Sequence, residues 1–189
     1  MPRPPMLPNI DWKAVFDSGQ DYAAWLSSAE SPDKAHQMVD NLQALGLDPQ
    51  IRGFLGALPR KVRVLAIAED WCGDVVRHVP VLRRMEEAAP NLEVRYISRE
   101  QWPQVFLRFL TNGGEAIPKF IFLSEAWVEC GNWGPMPGPC RELIARGKAC
   151  GDAAGARRRV TALYEADPGK RMVLVELLHL VDITVSQGV

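Results

Sequence analysis

The segment Trp71-Cys72-Gly73-Asp74 places a cysteine where a short apolar run gives way to a helical pattern. A cysteine in the first turn of a helix faces unpaired backbone N–H groups and the positive end of the helix dipole, and both favour a negative charge. We therefore expect the Cys72 thiolate to form more readily than that of a free thiol. The chemistry that this predicts is nucleophilic attack by Cys72 on a disulfide or an oxidised thiol.

Asp74 adds a carboxylate two residues after the cysteine. At a helix start, a carboxylate can cap backbone N–H groups, but its charge also opposes a thiolate nearby. We expect the two effects on Cys72 to cancel in part.

The spacing of apolar residues predicts the elements that hold this cysteine. Val62–Ala68, Leu92–Ser98, Ile117–Leu123 and Trp127–Asn132 predict four strands, and the last two predict an antiparallel hairpin. Helices are predicted for two segments between Asp21 and Leu47, from Cys72 to Pro90, and over Trp102–Leu110, Cys140–Ala149, Val160–Ala166 and Met172–Val185. This order places helices on both faces of a mixed sheet.

Trp71-Cys72-Gly73, with Pro80 eight residues after the cysteine, resembles the active-site turn and kinked helix of thioredoxins. Ile117-Pro118 stands where that family has its cis-proline, and Gly134 stands where it has the glycine bordering the substrate groove. The resemblance covers roughly residues 62–149. It implies that Trp71, Gly73, Asp74, Ile117, Pro118 and Gly134 bind substrate beside a catalytic Cys72.

The resemblance also implies an α/β fold, a thioredoxin-like three-layer sandwich in which helices flank a central mixed sheet. We expect one domain over residues 1–189, with its core at about 57–149. Extra helices would form an N-terminal extension over residues 9–56 and a C-terminal extension over residues 150–189.

Two departures from the thioredoxin pattern change the expected chemistry. Val75 stands where a thioredoxin has its second cysteine, and Ala66 stands where it has a buried carboxylate. A mixed disulfide at Cys72 therefore cannot be resolved within the motif. The chain looks like a branch with a single-cysteine Trp-Cys-Gly-Asp motif in place of the dithiol.

The remaining cysteines are Cys130, Cys140 and Cys150. Each is expected to be a small buried apolar residue, although a remote resolving role for Cys130 or Cys140 stays open. Nine residues separate successive members, and structural zinc sites favour two to four. We predict no metal and no cofactor. His36, His78 and His179 are expected to be structural or exposed.

Composition excludes several classes of partner. The 22 Lys and Arg residues nearly balance the 23 Asp and Glu residues, which predicts neither nucleic-acid binding nor binding to an anionic membrane. No apolar stretch approaches the ~20 residues of a membrane span, and the N-terminus lacks a secretory pattern. We expect a cytoplasmic protein with free thiols; the oligomeric state stays unknown.

Two functions follow as hypotheses. The first is a single-cysteine thiol-disulfide oxidoreductase, in which the Cys72 thiolate attacks a disulfide or an oxidised thiol and an external low-molecular-weight thiol or a partner protein resolves the adduct. Its expected substrate is a protein disulfide or a low-molecular-weight thiol. The alternative is a binding or scaffold module that keeps the groove and has lost redox activity. The exposed turn bearing Trp71 and the apolar terminal helix motivate the alternative.

Overall fold

A computed structural model describes residues 7–186 of the chain. The strands are β1 (Val62–Ile67), β2 (Leu92–Ile97), β3 (Lys119–Leu123) and β4 (Glu129–Trp133). The helices are α1 (Trp12–Asp17), α2 (Tyr22–Ser27), α3 (Pro32–Ala44), α4 (Pro49–Gly56), α5 (Gly73–Ala88), α6 (Pro103–Phe106), α7 (Gly138–Ala149), α8 (Ala153–Ala166) and α9 (Arg171–Val185), with a 3-10 turn at Leu107–Phe109.

The four strands form one mixed sheet in the order β2-β1-β3-β4. β1 and β2 are parallel and are joined through α5, because a parallel pair requires a crossover connection. β3 runs antiparallel to both β1 and β4, which confirms the predicted hairpin. The predicted α/β fold, with a mixed sheet and extra helices at both ends, is confirmed.

Apart from Arg63 in β1 and Lys119 in β3, the sheet's two central strands are apolar because both of their faces are covered. All five residues of β3 are buried, and in β1 only Arg63 is partly exposed. Helices α5 and α9 pack against one another and against the sheet. None of the helices within residues 7–186 has the length and apolarity needed to cross a membrane.

The sequence-based prediction missed α1 and α4 and placed the starts of β3 and α7 two residues away from where they lie. Three further differences have a local cause. Trp127 has a φ of 62° and its N–H donates to Ser124 O, so it belongs to a turn, and β4 begins only at Glu129. The predicted helix at Val160 begins earlier, at Ala153, because the Asp152 carboxylate accepts the Gly155 N–H as an N-cap. The predicted helix over 102–110 is a short α6 followed by the 3-10 turn.

The N-terminal helices are attached to the edge strand β2. Gln20 and Tyr96 exchange two backbone hydrogen bonds, with N···O distances of 2.9 and 2.8 Å, in an isolated antiparallel bridge. The Trp25 ring from α2 stacks on the Tyr96 ring, with centroids 4.7 Å apart and an interplanar angle of 16°. The bridge and the stacked pair hold the first two helices against the sheet edge, which would otherwise expose unpaired backbone groups.

We expect Trp25→Ala to lower the free energy of unfolding by about 3–5 kcal/mol, because it removes a buried indole and leaves a cavity beside Tyr96. Phe54→Ala is the matched control, since the Phe54 ring is 39% exposed and its loss should cost below about 1 kcal/mol. Urea unfolding of the two variants measures both values. Equal losses would contradict the anchoring role of Trp25.

Candidate active site

Cys72 is the N-cap residue of α5 and has an extended backbone, with φ −82° and ψ 125°. Its side chain makes no capping hydrogen bond to α5, although the nearby backbone N–H groups of Val75 and Asp74 lower the pKa of its thiol. On its other side, the thiol donates to Ile117 O at 3.5 Å. The side chain is only partly exposed, so the thiol lies between the start of α5 and the segment that enters β3.

That segment forms the second wall of a groove, which we call the Cys72 groove. The Ile117-Pro118 peptide bond is cis, and both residues are buried. Gly134 has a φ of +123°, and a Cβ on it would lie 2.0 Å from Pro118 O. Only glycine allows this close approach of the two backbones. The structure thus brings Cys72, Ile117, Pro118 and Gly134 together.

Trp71 and Gly73 flank the cysteine on the exposed side. The Trp71 side chain is 51% exposed, and the Arg99 guanidinium lies 5.3 Å from the centre of its ring. Arg99 is also paired with Glu69 and Glu115, with N···O distances of 3.0 Å in both pairs. A Cβ on Gly73 would meet nothing within 4 Å, so the space at this position does not require glycine.

The expectation that the Cys72 thiolate forms readily is wrong. Burial raises the pKa of the Cys72 thiol above its ordinary value. The N–H groups of Val75 and Asp74 lower this pKa, as the helix-start argument predicted, but the Asp74 and Glu69 carboxylates raise it further. The balance leaves Cys72 as a protonated thiol at neutral pH.

Asp74 does not cap α5, contrary to one of the roles considered for it. Its Oδ1 instead accepts a hydrogen bond from the Tyr164 hydroxyl of α8 at 3.2 Å. Burial raises the pKa of the Asp74 carboxyl, while this hydrogen bond and the Arg77 charge lower it. Helix α8 therefore fixes the carboxylate that raises the pKa of Cys72.

His78 completes this buried cluster and is structural, as expected. Its Nε2 lies 3.2 Å from the Tyr164 hydroxyl oxygen and 3.7 Å from Asp74 Oδ1. Because the hydroxyl donates its only proton to Asp74, Nε2 must carry the proton that His78 donates to Tyr164. Nδ1 has no hydrogen-bond partner among the described residues. Burial lowers the pKa of His78 to about 3, so the ring is neutral.

Sequence reasoning did not assign roles to Tyr164 and Glu176. The two Glu176 oxygens accept from Trp133 Nε1 at 2.6 Å and from Gly138 N at 2.7 Å, which ties α9 to the end of β4 and the start of α7. The sequence does not show the partners of either residue, since Glu176 and Tyr164 contact groups about 40 or more residues away along the chain. A polar residue on an otherwise apolar helix, such as Glu176 in α9, was the only available hint.

The other cysteines lie in three different environments. Cys140 is buried at the start of α7, where burial raises the pKa of its thiol and the Tyr164 hydroxyl lowers it. Cys130 is only partly buried and Cys150 is exposed, so the expectation of burial is confirmed for Cys140 alone. Within residues 7–186, no three His, Cys, Asp or Glu side chains converge in a way that could hold a metal ion.

Both departures from the dithiol pattern are buried apolar positions. Val75 is fully buried in the first turn of α5, and Ala66 is fully buried in β1. No ionisable group therefore takes the place of the missing thiol or the missing carboxylate at those two positions.

Comparison with known proteins is consistent with this geometry. A sequence model of the thioredoxin family matches residues 19–155. A crystal structure of a Pseudomonas aeruginosa protein of unknown function is 20% identical, with a TM-score of 0.72, and the alignment covers 92% of this chain and 98% of that one. An HIV epitope-scaffold is 22% identical, with a TM-score of 0.62, and covers 83% and 99% respectively. At these identities, the likeness shows a shared fold. No curated protein sequence matches the chain.

The buried neutral His78 predicts a specific sensitivity to acid. The unfolded chain takes up a proton at this residue below about pH 6.5, whereas the folded protein does so only near pH 3. Stability is therefore fully present above pH 6.5 and is lost as the pH falls, by roughly 3 kcal/mol between pH 7 and pH 4 from this group.

Denaturant unfolding from pH 7 to pH 4 measures this loss, and His78→Gln should make the slope shallower. His36→Gln, which changes an exposed histidine, should keep the slope of the parent protein. A His78 imidazole that titrates near pH 6.5 by NMR would contradict the assignment.

Proposed function

Because the chain belongs to the thioredoxin family, we propose that it is a single-cysteine thiol-disulfide oxidoreductase that acts through Cys72. The observation that carries this proposal is the contact of the Cys72 thiol with Ile117 O, 3.5 Å away, beside Pro118. This contact places a partly exposed sulfur against backbone that can pair with an extended substrate.

The reaction has two balanced steps. The Cys72 thiol first loses its proton to solvent, and the thiolate attacks one sulfur of a substrate disulfide. A Cys72–substrate disulfide forms, and the other substrate sulfur leaves as a thiolate. An external thiol, from a small molecule or a partner protein, then attacks the substrate sulfur of the mixed disulfide and releases Cys72 as a thiolate.

The groove residues take supporting roles in this scheme. Trp71 and the backbone at Ile117, Pro118 and Gly134 hold the substrate segment beside the sulfur. Gly73 borders Cys72 on the exposed side, where no atom lies within 4 Å of a Cβ position. Asp74 sets the charge next to the thiol, because its carboxylate raises the pKa of Cys72.

The raised pKa of Cys72 has two consequences for the reaction. At neutral pH only a small fraction of the thiol is ionised, so attack is slow. A thiol of high pKa is also a poor leaving group, so the mixed disulfide at Cys72 persists once formed. We therefore propose a slow reductant whose adduct is long-lived and is released by an external thiol.

The raised pKa of Cys72 also favours a second candidate, a non-catalytic binding module. Val75 and Ala66 remove the dithiol chemistry, and the environment of Cys72 does not activate its thiol. An exposed Trp71 beside the Cys72 groove provides an aromatic surface of the kind that anchors protein partners. In this reading the groove holds its partner without forming a bond to sulfur.

The two candidates are separated by turnover of the neutral bis(2-hydroxyethyl) disulfide in the presence of an external thiol. We expect the parent protein and Cys150→Ser to accelerate exchange, whereas Cys72→Ser should not. Cys150→Ser is the matched control because it removes an exposed cysteine away from the groove. Equal exchange by Cys72→Ser would eliminate the catalytic proposal.

Capture of protein partners provides an independent comparison of the two candidates. Partners that bind only the protein with Cys72 and are released by reductant support the oxidoreductase. Identical capture by Cys72→Ser supports the binding module.

The carboxylate of Asp74 predicts how Cys72 responds to pH. Alkylation of Cys72 by iodoacetamide should speed up about tenfold per pH unit between pH 7 and pH 8, since this range lies below the raised pKa. Asp74→Asn removes a charge that raises this pKa, so alkylation at pH 7.5 should become about two- to fivefold faster. Asp33→Asn, in the first turn of α3, is the matched control and should change nothing. An unchanged rate in Asp74→Asn would refute the electrostatic role of Asp74.

A further inference from the structure

A cavity opens next to the Cys72 groove. It has a volume of about 580 Å³ and lies between the segment leading to Pro118 and helix α7. Ala116, which lines it, directly precedes Ile117, and Pro135, which also lines it, directly follows Gly134. The cavity therefore continues the groove past both of its backbone walls. We call it the α7 cavity.

A buried cation lies behind the wall of the α7 cavity. Lys119 is only 3% exposed, and its Nζ donates to Thr111 Oγ1 at 2.6 Å and to Gly134 O at 3.1 Å. Among residues 7–186, no carboxylate lies within 4.0 Å of this ammonium group. Burial and the nearby Arg141 guanidinium lower the pKa of Lys119 to about 8. Both of its hydrogen-bond acceptors are neutral, so its charge is not compensated.

Two further cations line the α7 cavity itself. Arg141 Nη1 donates to Met136 O at 2.8 Å, and within the described part of the chain neither Arg141 nor Lys148 forms an ion pair. The cavity also contains Glu115 and Glu142, but these carboxylates face Arg99 at 3.0 Å and Arg146 at 3.9 Å.

Helix α7, which lines the cavity, carries charge of the same sign. It contains Arg141, Arg146 and Lys148 against the single carboxylate of Glu142. An anion in the α7 cavity would therefore meet the unpaired Arg141 and Lys148 on a helix of net positive charge.

We infer that the α7 cavity is a subsite for carboxylate groups, and that it binds the acidic flank of a cysteine-containing peptide whose disulfide lies at Cys72. This inference deepens the proposed function and rests on it for the use of the Cys72 groove. The substrate backbone runs beside Pro118, and the acidic side chains next to its cysteine extend toward Arg141 and Lys148. A carboxylate there balances the charge that Lys119 and Arg141 leave uncompensated.

Charges on the opposite side of the sulfur make this inference easy to test. The Glu69 and Asp74 carboxylates lie close enough to Cys72 to raise its pKa. Without the α7 cavity, these carboxylates would favour a cationic substrate. The order of binding among acidic, neutral and basic peptides therefore shows which side of the groove decides selectivity.

Three hexapeptides that differ only in having Glu, Gln or Lys on both sides of an S-methylcysteine provide the test. S-methylation prevents exchange, so binding to the full chain is measured by calorimetry without any reaction at Cys72. We expect the Glu peptide to bind most tightly and the Lys peptide most weakly, about tenfold apart at low salt, with the difference shrinking at high salt.

Lys148→Glu and Arg141→Glu should each remove or reverse this order. Arg158→Glu is the matched control, because it makes the same charge change on α8 at an exposed residue that does not line the α7 cavity. The control should bind the three peptides in the same order of affinity as the parent protein. No preference for the Glu peptide, or an unchanged preference in both α7 variants, would overturn the inference.

Failure of the inference and failure of the proposed function give different results. If Cys72 exchanges no disulfide but the Glu peptide still binds more tightly than the Lys peptide, the oxidoreductase proposal fails and the carboxylate subsite stands. If exchange occurs without a charge preference, the subsite fails alone. 3-(Methylthio)propionate, a small carboxylate thioether, distinguishes the source of the ligand. Competition with the Glu peptide indicates a low-molecular-weight carboxylated thiol, and its absence indicates a peptide flank.

Discussion

The antiparallel pairing of β1 with β3 is the interaction on which the site depends. It sets Ile67, the last residue of β1, opposite Lys119, the first residue of β3. The chain leaving β1 reaches Cys72 just where the chain entering β3 passes through Ile117 and Pro118, so the thiol and its carbonyl partner meet at 3.5 Å. Without this register, the first turn of α5 would have no second wall, and no groove would form.

Burial then decides the chemistry of the groups that the pairing brings together. A helix start alone would favour a Cys72 thiolate, but the same packing that orders the turn removes water from the sulfur and holds Asp74 nearby. Tyr164 and Glu176, from the C-terminal helices, reach back to α5 and to β4. These helices therefore set the charge and the shape of the groove, in addition to covering the sheet.

Charge is distributed unevenly around the sulfur. Carboxylates lie beside the start of α5, whereas Lys119, Arg141 and Lys148 lie around the far end of the groove, where the two carboxylates, Glu115 and Glu142, are paired with Arg99 and Arg146. The near-neutral total charge of the chain conceals this separation. A substrate that crosses the groove would meet fields of opposite sign on the two sides of its disulfide, which gives the binding of a charged substrate a preferred direction.

The sequence by itself determined the order of the four strands, most of the helices between and after them, the mixed sheet and the position of Cys72 at a helix start, because these follow from local apolar periodicity and turn residues. It did not reveal the short helices α1 and α4. It also marked Val75 and Ala66 as departures from the dithiol pattern. Only the tertiary structure decided that the pKa of Cys72 is raised, that Asp74 bonds to Tyr164 and that Lys119 lies uncompensated behind a cavity. Those properties depend on burial and on contacts between residues far apart in the chain, and neither periodicity nor spacing encodes which distant groups share a low-dielectric interior.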